Sequence, residues 1–352
     1  MKMKAITFNK EGKVQLVDFD KPRVIKPTDA VVRILKTTIC GTDLHILGGD
    51  VPETQPGKIL GHEGIGIVEE VGSAVSNFKV GDKVIVSCIT SCNKCYYCKR
   101  GLPAHCETGG WILGHNINGT QAEFVHIPHA DGSLYHAPKT VSDDALVMLS
   151  DIFPTSFEIG VQSSHIKPGD TVAIIGAGPI GLAALLTAQF YSPSKIIMVD
   201  LSESRLEFAK KFGATHTIKS GNLEEIKAKV SEITNGRGVN VAMECVGYPA
   251  TFDVAQNIVA IGGHIANVGV HGKPVSFELQ KLWIKNITFS TGLVNATTTQ
   301  MLLDVLESGK IDASKMVTHH FKLSEMETAY NIFKHAGDNR ALKVIIENDL
   351  TK

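Results

Sequence analysis

Up to about residue 150 the apolar positions alternate over short distances. AVVRILKT, GIGIVEEVG and KVIVSCI are β-branched runs bounded by turn residues, and none extends into an apolar stripe at helical spacing. This region is predicted to be β-rich and barrel-like, with loops free to carry function. After Pro168 the rhythm changes. TVAII, KIIMVD, VNVAMEC, GHIANVG and ITFSTG read as strands. Between them PIGLAALLTAQFY, ESRLEFAKKFG, NLEEIKAKVSEITNG and ATFDVAQNIVA carry helical periodicity. Strands and helices alternating at these lengths predict a parallel sheet covered on both faces. TQMLLDVLESG and EMETAYNIFKHA then read as helices and ALKVIIEN as a strand. That strand has no obvious slot in a filled parallel sheet, so it is expected to rejoin the first region.

The pattern therefore predicts an α/β chain in two domains. A β-rich domain covers residues 1–151 with a return over 294–352, and a doubly wound parallel-sheet domain covers 152–293. Thr171–Tyr191, TVAIIGAGPIGLAALLTAQFY, has the length of a membrane span. Its glycines and Pro179 fall where a strand should give way to a helix, so it reads as a buried strand and a buried helix. Composition changes little: 43% apolar and 20% charged residues are ordinary for a globular chain. A net charge of −1 with no like-charge block gives no reason to expect nucleic acid or an anionic membrane as partner. The N-terminal MKMKAITFNKEG lacks the apolar core of a secretory signal, which points to a reducing cytoplasmic setting.

In that setting the cysteines matter. SCNKCYYCKRGLPAHCE holds Cys92, Cys95, Cys98 and Cys106, four of the seven in the chain. The spacing C-x2-C-x2-C-x7-C lets four sulfurs converge on one centre, as structural zinc requires. An iron–sulfur cluster is the competing reading, but the last cysteine does not follow at three residues with a proline after it. Lys94, Lys99 and Arg100 lie within the loop and would offset the −2 charge of a Zn–thiolate4 site.

Other candidate ligands are scattered: Cys40 in CGTDLH, His62 and Glu63 in GHEGIG, and Asp151 in LSDIFPTSFE. Taken singly they are weak. However, GHEGIGIVEEVGSAV fits the pattern G-H-E-x2-G-x5-G-x2-V of the zinc-containing medium-chain dehydrogenases, which the whole chain resembles. CGTDLH is similar to the family's first-ligand segment, and the cysteine lobe sits at the family's usual place. The resemblance implies a GroES-like catalytic domain followed by a Rossmann domain. It implies two zinc ions: a structural one on the four cysteines, and a catalytic one on Cys40, His62 and Asp151 with Glu63 beside it. Aspartate at 151, where many members carry cysteine, resembles the secondary-alcohol dehydrogenase branch. Two anionic ligands would neutralise the dication, leaving a Lewis acid able to lower a hydroxyl pKa. Thr42 and His45 match the family's proton relay.

TVAIIGAGPIG places Gly176, Gly178 and Gly181 as G-x-G-x-x-G between a strand and a helix, the arrangement that binds a dinucleotide pyrophosphate. Asp200 closes the next strand nineteen residues after Gly181, where a carboxylate receives ribose hydroxyls and repels a 2′-phosphate. The expected cofactor is therefore NAD, although Arg205 nearby could cover a phosphate. Pro179, Ile180, Thr155, Val268, Leu293 and Arg340 follow as cofactor contacts by resemblance, with Asp43 orienting Arg340. Gly41 departs from relatives with Arg or His there and removes one phosphate contact. Cys88, Trp111 and Leu293 are the implied walls of a small apolar substrate pocket.

The resemblance implies an NAD-linked alcohol dehydrogenase acting on primary or secondary alcohols and the corresponding aldehydes or ketones, as a homotetramer or else a dimer. A sister activity on a polyol, a butanediol or threonine would use the same machinery. A non-enzymatic nucleotide sensor would leave the open-site ligands without a purpose.

Overall fold

The computed structural model describes residues 1–349, so 350–352, the end of the expected return segment, lie outside the described residues. The chain divides into two compact units: Met1–Pro154 together with the segment from Asn295 onward, and Thr155–Val294.

The first unit opens with an antiparallel hairpin, β1 (Lys2–Phe8) and β2 (Val14–Asp20). Its main sheet contains β3 (Ala30–Thr38), β4 (Gly64–Val71), β5 (Lys83–Val86), β6 (Phe124–Ile127) and β7 (Leu134–His136). The second unit carries β8 (Thr171–Ile175), β9 (Lys195–Asp200), β10 (His216–Lys219), β11 (Val239–Glu244), β12 (Val259–Asn267) and β13 (Thr288–Thr291). The tail returns β14 (Val317–Lys322) and β15 (Lys343–Glu347) to the first sheet. Its order is β14-β15-β3-β4-β5-β7, and β6 pairs with the opening half of β3 while β15 pairs with its closing half. Alternate residues of β3, β4 and β5 face a core of Val32, Ile34, Val68, Val84, Val86 and Leu134.

In the second unit the order is β10-β9-β8-β11-β12-β13, with every pairing parallel. The order reverses between β8 and β11, and the carboxyl ends of strands at such a switch point are where open α/β sheets bind ligands. Ile175, Ile197, Val199, Ala242 and Ile265 are fully or almost fully buried, the near-continuous apolar character of strands covered on both faces.

Two features differ from the pattern reading. Gly41–Gly48, placed among strands and turns, is a helix: Asp43 accepts from the Cys40 amide at 2.9 Å to cap it, and Gly49 closes it at φ 84°. The segment from Ile152 to Gln162 is helical and ends in a π-helical stretch, Ser156–Gln162, with six of its seven residues buried. No helix among the described residues is long and apolar enough to cross a membrane.

Candidate active site and cysteine lobe

Three segments of the first unit meet at one point. Cys40 is the cap residue that ends β3 and starts the Gly41–Gly48 helix. His62 and Glu63 directly precede β4, and Asp151 follows the short turn Met148–Ser150. The Ser150 hydroxyl joins the last two segments, accepting from the Gly64 amide and donating to the Gly64 carbonyl, both at 3.1 Å. Thr37 and Thr120 donate to the Glu63 carbonyl at 2.7 and 2.8 Å, fastening the same residues to β3. As a result ligand atoms of Cys40, His62, Glu63 and Asp151 lie within 4.8 Å of one another.

The spacing within this group is that of side chains around a cation. His62 Nε2 lies 3.2 Å from Asp151 Oδ2, and Cys40 Sγ lies 4.0 Å from the same oxygen. Burial opposes charge on His62, but Asp151 and Cys40 outweigh it and draw its pKa well above the usual value. A proton is thus held where a divalent cation would satisfy thiol, carboxylate and imidazole together. Glu63 Oε2 and Asp43 Oδ1 are both buried without a hydrogen-bond partner among the described residues. The donor set of sulfur, nitrogen and oxygen fits zinc.

One positive charge is already present. Lys343 Nζ donates to Glu63 Oε1 at 2.6 Å, and both side chains are 1% exposed. His62 Nε2 lies 4.0 Å from the same Glu63 oxygen, so Lys343 shares a carboxylate that borders the ligand group. Sequence reasoning missed Lys343. The available signal was a lysine within the otherwise apolar run ALKVII. Asp43 is also buried, and desolvation raises its pKa. Its Oδ2 accepts from the Cys40 amide and from Gln121 Nε2 at 3.0 Å, while Tyr330 donates to Gln121 Oε1 at 2.9 Å.

Thr42 Oγ1 lies 3.8 Å from Cys40 Sγ. His45 is on the exposed side of the same helix, its Nδ1 2.8 Å from Asp50 Oδ2. Cys88 is 2% exposed and donates its amide to the Ser150 carbonyl at 2.9 Å, one residue from Asp151. Trp111 stacks on His115 with centroids 4.3 Å apart, on a loop whose Gly114 packs against Gly61.

The cysteine lobe gathers Cys92, Cys95, Cys98 and Cys106 within the same 4.8 Å limit. Amides of Cys92, Cys95 and Cys98 point at the sulfurs of Cys106, Cys92 and Cys95 at 3.4–3.5 Å. Backbone donors pull Cys95 down to about 6, whereas burial pushes Cys98 up to about 12. Four sulfurs gathered this closely fit the donor set of a single cation. Lys94, Lys99 and Arg100 are exposed around the lobe, and Arg100 stacks over Tyr96 at 5.4 Å.

In the second unit the glycines of the β8 turn have separate tasks. A Cβ on Gly181 would lie 1.8 Å from the Gly176 carbonyl oxygen, so that glycine allows helix and turn to touch. Gly176 has φ 102°, a conformation that disfavours side chains. Around Gly178 the space is open: a Cβ there would meet nothing closer than Arg205 Nη1, at 4.0 Å. That is a cradle for an anion at the N-terminus of the Pro179–Ala188 helix, which Pro179 and Ile180 begin. Arg205 Nε is buried with no partner among the described residues. Asp200 receives the Ala177 and Ser202 amides, each at 2.7 Å, and so braces the turn. Val268 is buried with its amide on the Glu244 carbonyl at 2.8 Å, and Leu293 is 40% exposed. Thr155 opens the second unit, and Arg340 lies in the first, at φ 53°.

Both halves of the chain match known protein domains. Residues 26–139 match the alcohol dehydrogenase GroES-like domain, and residues 179–308 match the zinc-binding dehydrogenase domain. An alcohol dehydrogenase of Cupriavidus necator is 35% identical, with 98% of each chain covered. The chain belongs to the zinc-type alcohol dehydrogenases. Within this family of oxidoreductases, the structure of a zinc-dependent alcohol dehydrogenase 2 from Streptococcus pneumonia is 60% identical, covers 99% of both chains and superposes with a TM-score of 0.96. An NADP-dependent isopropanol dehydrogenase of Thermoanaerobacter brockii is 33% identical, with 98% of this chain and 99% of that one covered. Zinc dependence and the two-part GroES-like and Rossmann-like architecture expected from the sequence are therefore family properties of this zinc-type dehydrogenase.

Proposed function

We propose that the protein oxidises small primary or secondary alcohols to aldehydes or ketones, and runs the reverse reaction, with NAD as hydride acceptor and two zinc ions per chain. The observation carrying this reading is the convergence of Cys40, His62 and Asp151, with Glu63 restrained by Lys343, into one buried donor set. When bound, zinc supplies Lewis acidity to a substrate hydroxyl and the dinucleotide supplies hydride capacity. Cys40, His62 and Asp151 hold the cation, and the four cysteines hold the structural ion. Thr42, close to the Cys40 sulfur, accepts the hydroxyl proton as it releases its own into the relay, and His45, open to solvent, passes a proton on to water. Trp111 and Cys88 wall the substrate side, and Leu293 belongs with the cofactor contacts. Gly176, Gly178, Gly181, Pro179 and Ile180 cradle the pyrophosphate with Arg205, while Thr155, Val268 and Arg340 complete the cofactor contacts.

NAD is favoured over NADP because Asp200 places a carboxylate at the end of β9, where a 2′-phosphate would meet an anion. The relative with NADP in its name makes this a point to measure. We further propose a cytoplasmic homo-oligomer, most simply a tetramer. Supporting this, β13 is an edge strand with Phe289 41% exposed, beside Trp283 and Ile284 at 67% each. Initial rates on 2-propanol, ethanol, a butanediol, sorbitol and threonine, with NAD and NADP in parallel, test the activity. Turnover of sorbitol or threonine but not 2-propanol would replace the substrate assignment. Zinc analysis of fully active protein must return two equivalents.

A further inference from the structure

Outside the residues assigned above, the second unit buries a carboxylate and an imidazole side by side. Glu244 ends β11 with its side chain fully buried. Its Oε1 accepts three bonds: from the Val246 and Gly247 amides at 2.9 Å and the Thr251 hydroxyl at 2.7 Å. Its Oε2 has no hydrogen-bond partner among the described residues, and His271 Nε2 lies 3.4 Å from it. His271 Nε2 also lies 2.9 Å from Asn267 Oδ1. The Asn267 amide nitrogen is spent on the Gly269 carbonyl at 2.9 Å, so its oxygen faces the ring and His271 Nε2 carries the hydrogen. The ring stands edge-on to Phe252 at 5.9 Å, and its Nδ1 is buried without a partner among the described residues. The imidazole is thus held from one nitrogen only, the one aimed at Glu244 and Asn267.

This pair sits where strand ends converge. The Glu244 carbonyl receives the Val268 and Gly269 amides at 2.8 and 3.1 Å, tying the end of β12 to the end of β11. A Cβ on Gly269 would stand 2.2 Å from the Gly247 amide and 2.4 Å from Glu244 Oε2, and one on Gly247 would stand 2.2 Å from the Val270 carbonyl oxygen. The loops 245–247 and 268–271 are therefore in backbone contact around the carboxylate. The first also touches the glycine turn: a Cβ on Gly176 would fall 2.5 Å from Val246 Cγ2, and the Cys245 amide donates to the Ile175 carbonyl at 2.9 Å. Glu244 is the hub joining the ends of β8, β11 and β12, and His271 Nε2 stands 3.4 Å from its unpartnered oxygen.

We infer that His271 is a positioning residue for the dinucleotide: by donating to Asn267 Oδ1 beside the Glu244 carboxylate, it holds the loop after β12 in place against the loop after β11, which touches the Gly176 turn. This rests on the reading that the turn holds the cofactor. Loss of a buried hydrogen bond such as that of His271 Nε2 to Asn267 Oδ1 is worth a factor of up to about ten in an equilibrium. The test is a fluorescence titration of the zinc-loaded full chain with NADH. His271→Leu should raise the dissociation constant about tenfold. His271→Gln, which restores a nitrogen donor in place of Nε2, should stay within about threefold of the parent. In turnover, KM for the dinucleotide should rise with His271→Leu while kcat at saturation and KM for the alcohol hold.

His271 is only 14% exposed, so His271→Ala serves as the second truncation if leucine is not accommodated. NADH binding at parental strength by either truncation overturns the inference, as does a glutamine variant no better than leucine. The underlying cofactor reading fails separately: it falls if the parent binds neither NADH nor NADPH, or if Gly178→Val leaves binding intact.

Discussion

The Lys343–Glu63 pair gives the sharpest prediction about the first unit. Replacing Lys343 with Met removes the ammonium bonded to a carboxylate that is 1% exposed and whose other oxygen has no partner among the described residues. Breaking a buried pair from one side strands the remaining charge, which costs about 3–5 kcal/mol. A drop of that size moves the thermal midpoint on the order of 10 °C. Removing both charges with Glu63→Gln and Lys343→Met leaves a neutral amide beside an apolar stem and should recover most of the loss, since neutral replacements of buried pairs are often close to isoenergetic. The assay is urea unfolding of the metal-free parent, both single variants and the double variant, followed by far-UV circular dichroism. The coupling energy from the cycle should exceed about 2 kcal/mol. A Lys343→Met variant as stable as the parent, or a coupling below about 0.5 kcal/mol, would refute the claim that this lysine neutralises Glu63.

Four further outcomes follow from the geometry. Gly178→Ala adds a methyl where the nearest atom is 4.0 Å away, so melting should hold while NADH affinity falls by roughly tenfold or more; Gly181→Ala, 1.8 Å from the Gly176 oxygen, should instead lose stability. Asp200→Asn should weaken NADH and strengthen NADPH in parallel titrations, because the repulsion of a 2′-phosphate disappears, and it should cost some stability, because the single amide oxygen can keep only one of the Ala177 and Ser202 amides. Cys98→Ser should lower zinc content by one equivalent and expose the 92–106 segment to protease, with the second zinc retained. Glu347 has its pKa lowered by a hydrogen bond from Lys36, so its contribution is full above 4.5 and lost as pH falls through its lower folded value. Solvent screening holds that contribution below about 1 kcal/mol, and Glu347→Gln should flatten the parent's acid-side stability slope by no more than this.

Chemistry encoded over short distances was the most readable in this chain. Cys92, Cys95, Cys98 and Cys106 read as a candidate metal lobe because their spacing alone brings the sulfurs together, and the Gly176 turn is readable because strand, glycines and helix are contiguous. Cys40, His62 and Asp151 are spread across more than a hundred residues, and periodicity carries no trace of their meeting. Only similarity to a family joined them, and the cause is now visible in the Ser150 bridge to Gly64 and the threonine bonds to the Glu63 carbonyl. Lys343 stayed hidden because its partner is 280 residues away. Glu244 and His271 stayed hidden because a carboxylate at a strand end looks solvent-facing until neighbouring loops close over it. The Gly41–Gly48 helix was missed because its low apolar contrast leaves capping by Asp43 and Gly49 as the main signal. β2 and β14 escaped notice because their mixed exposure blurs the alternation that marks a strand.

The return of β15 also sets a timetable for synthesis. When Thr155–Val294 has left the ribosome, its six strands can close, yet the closing half of β3 still has a bare edge and Glu63 has no ammonium to meet it. The part made first must therefore finish last. A nascent chain stalled before Lys343 should carry a settled second unit and an open, chaperone-dependent first one.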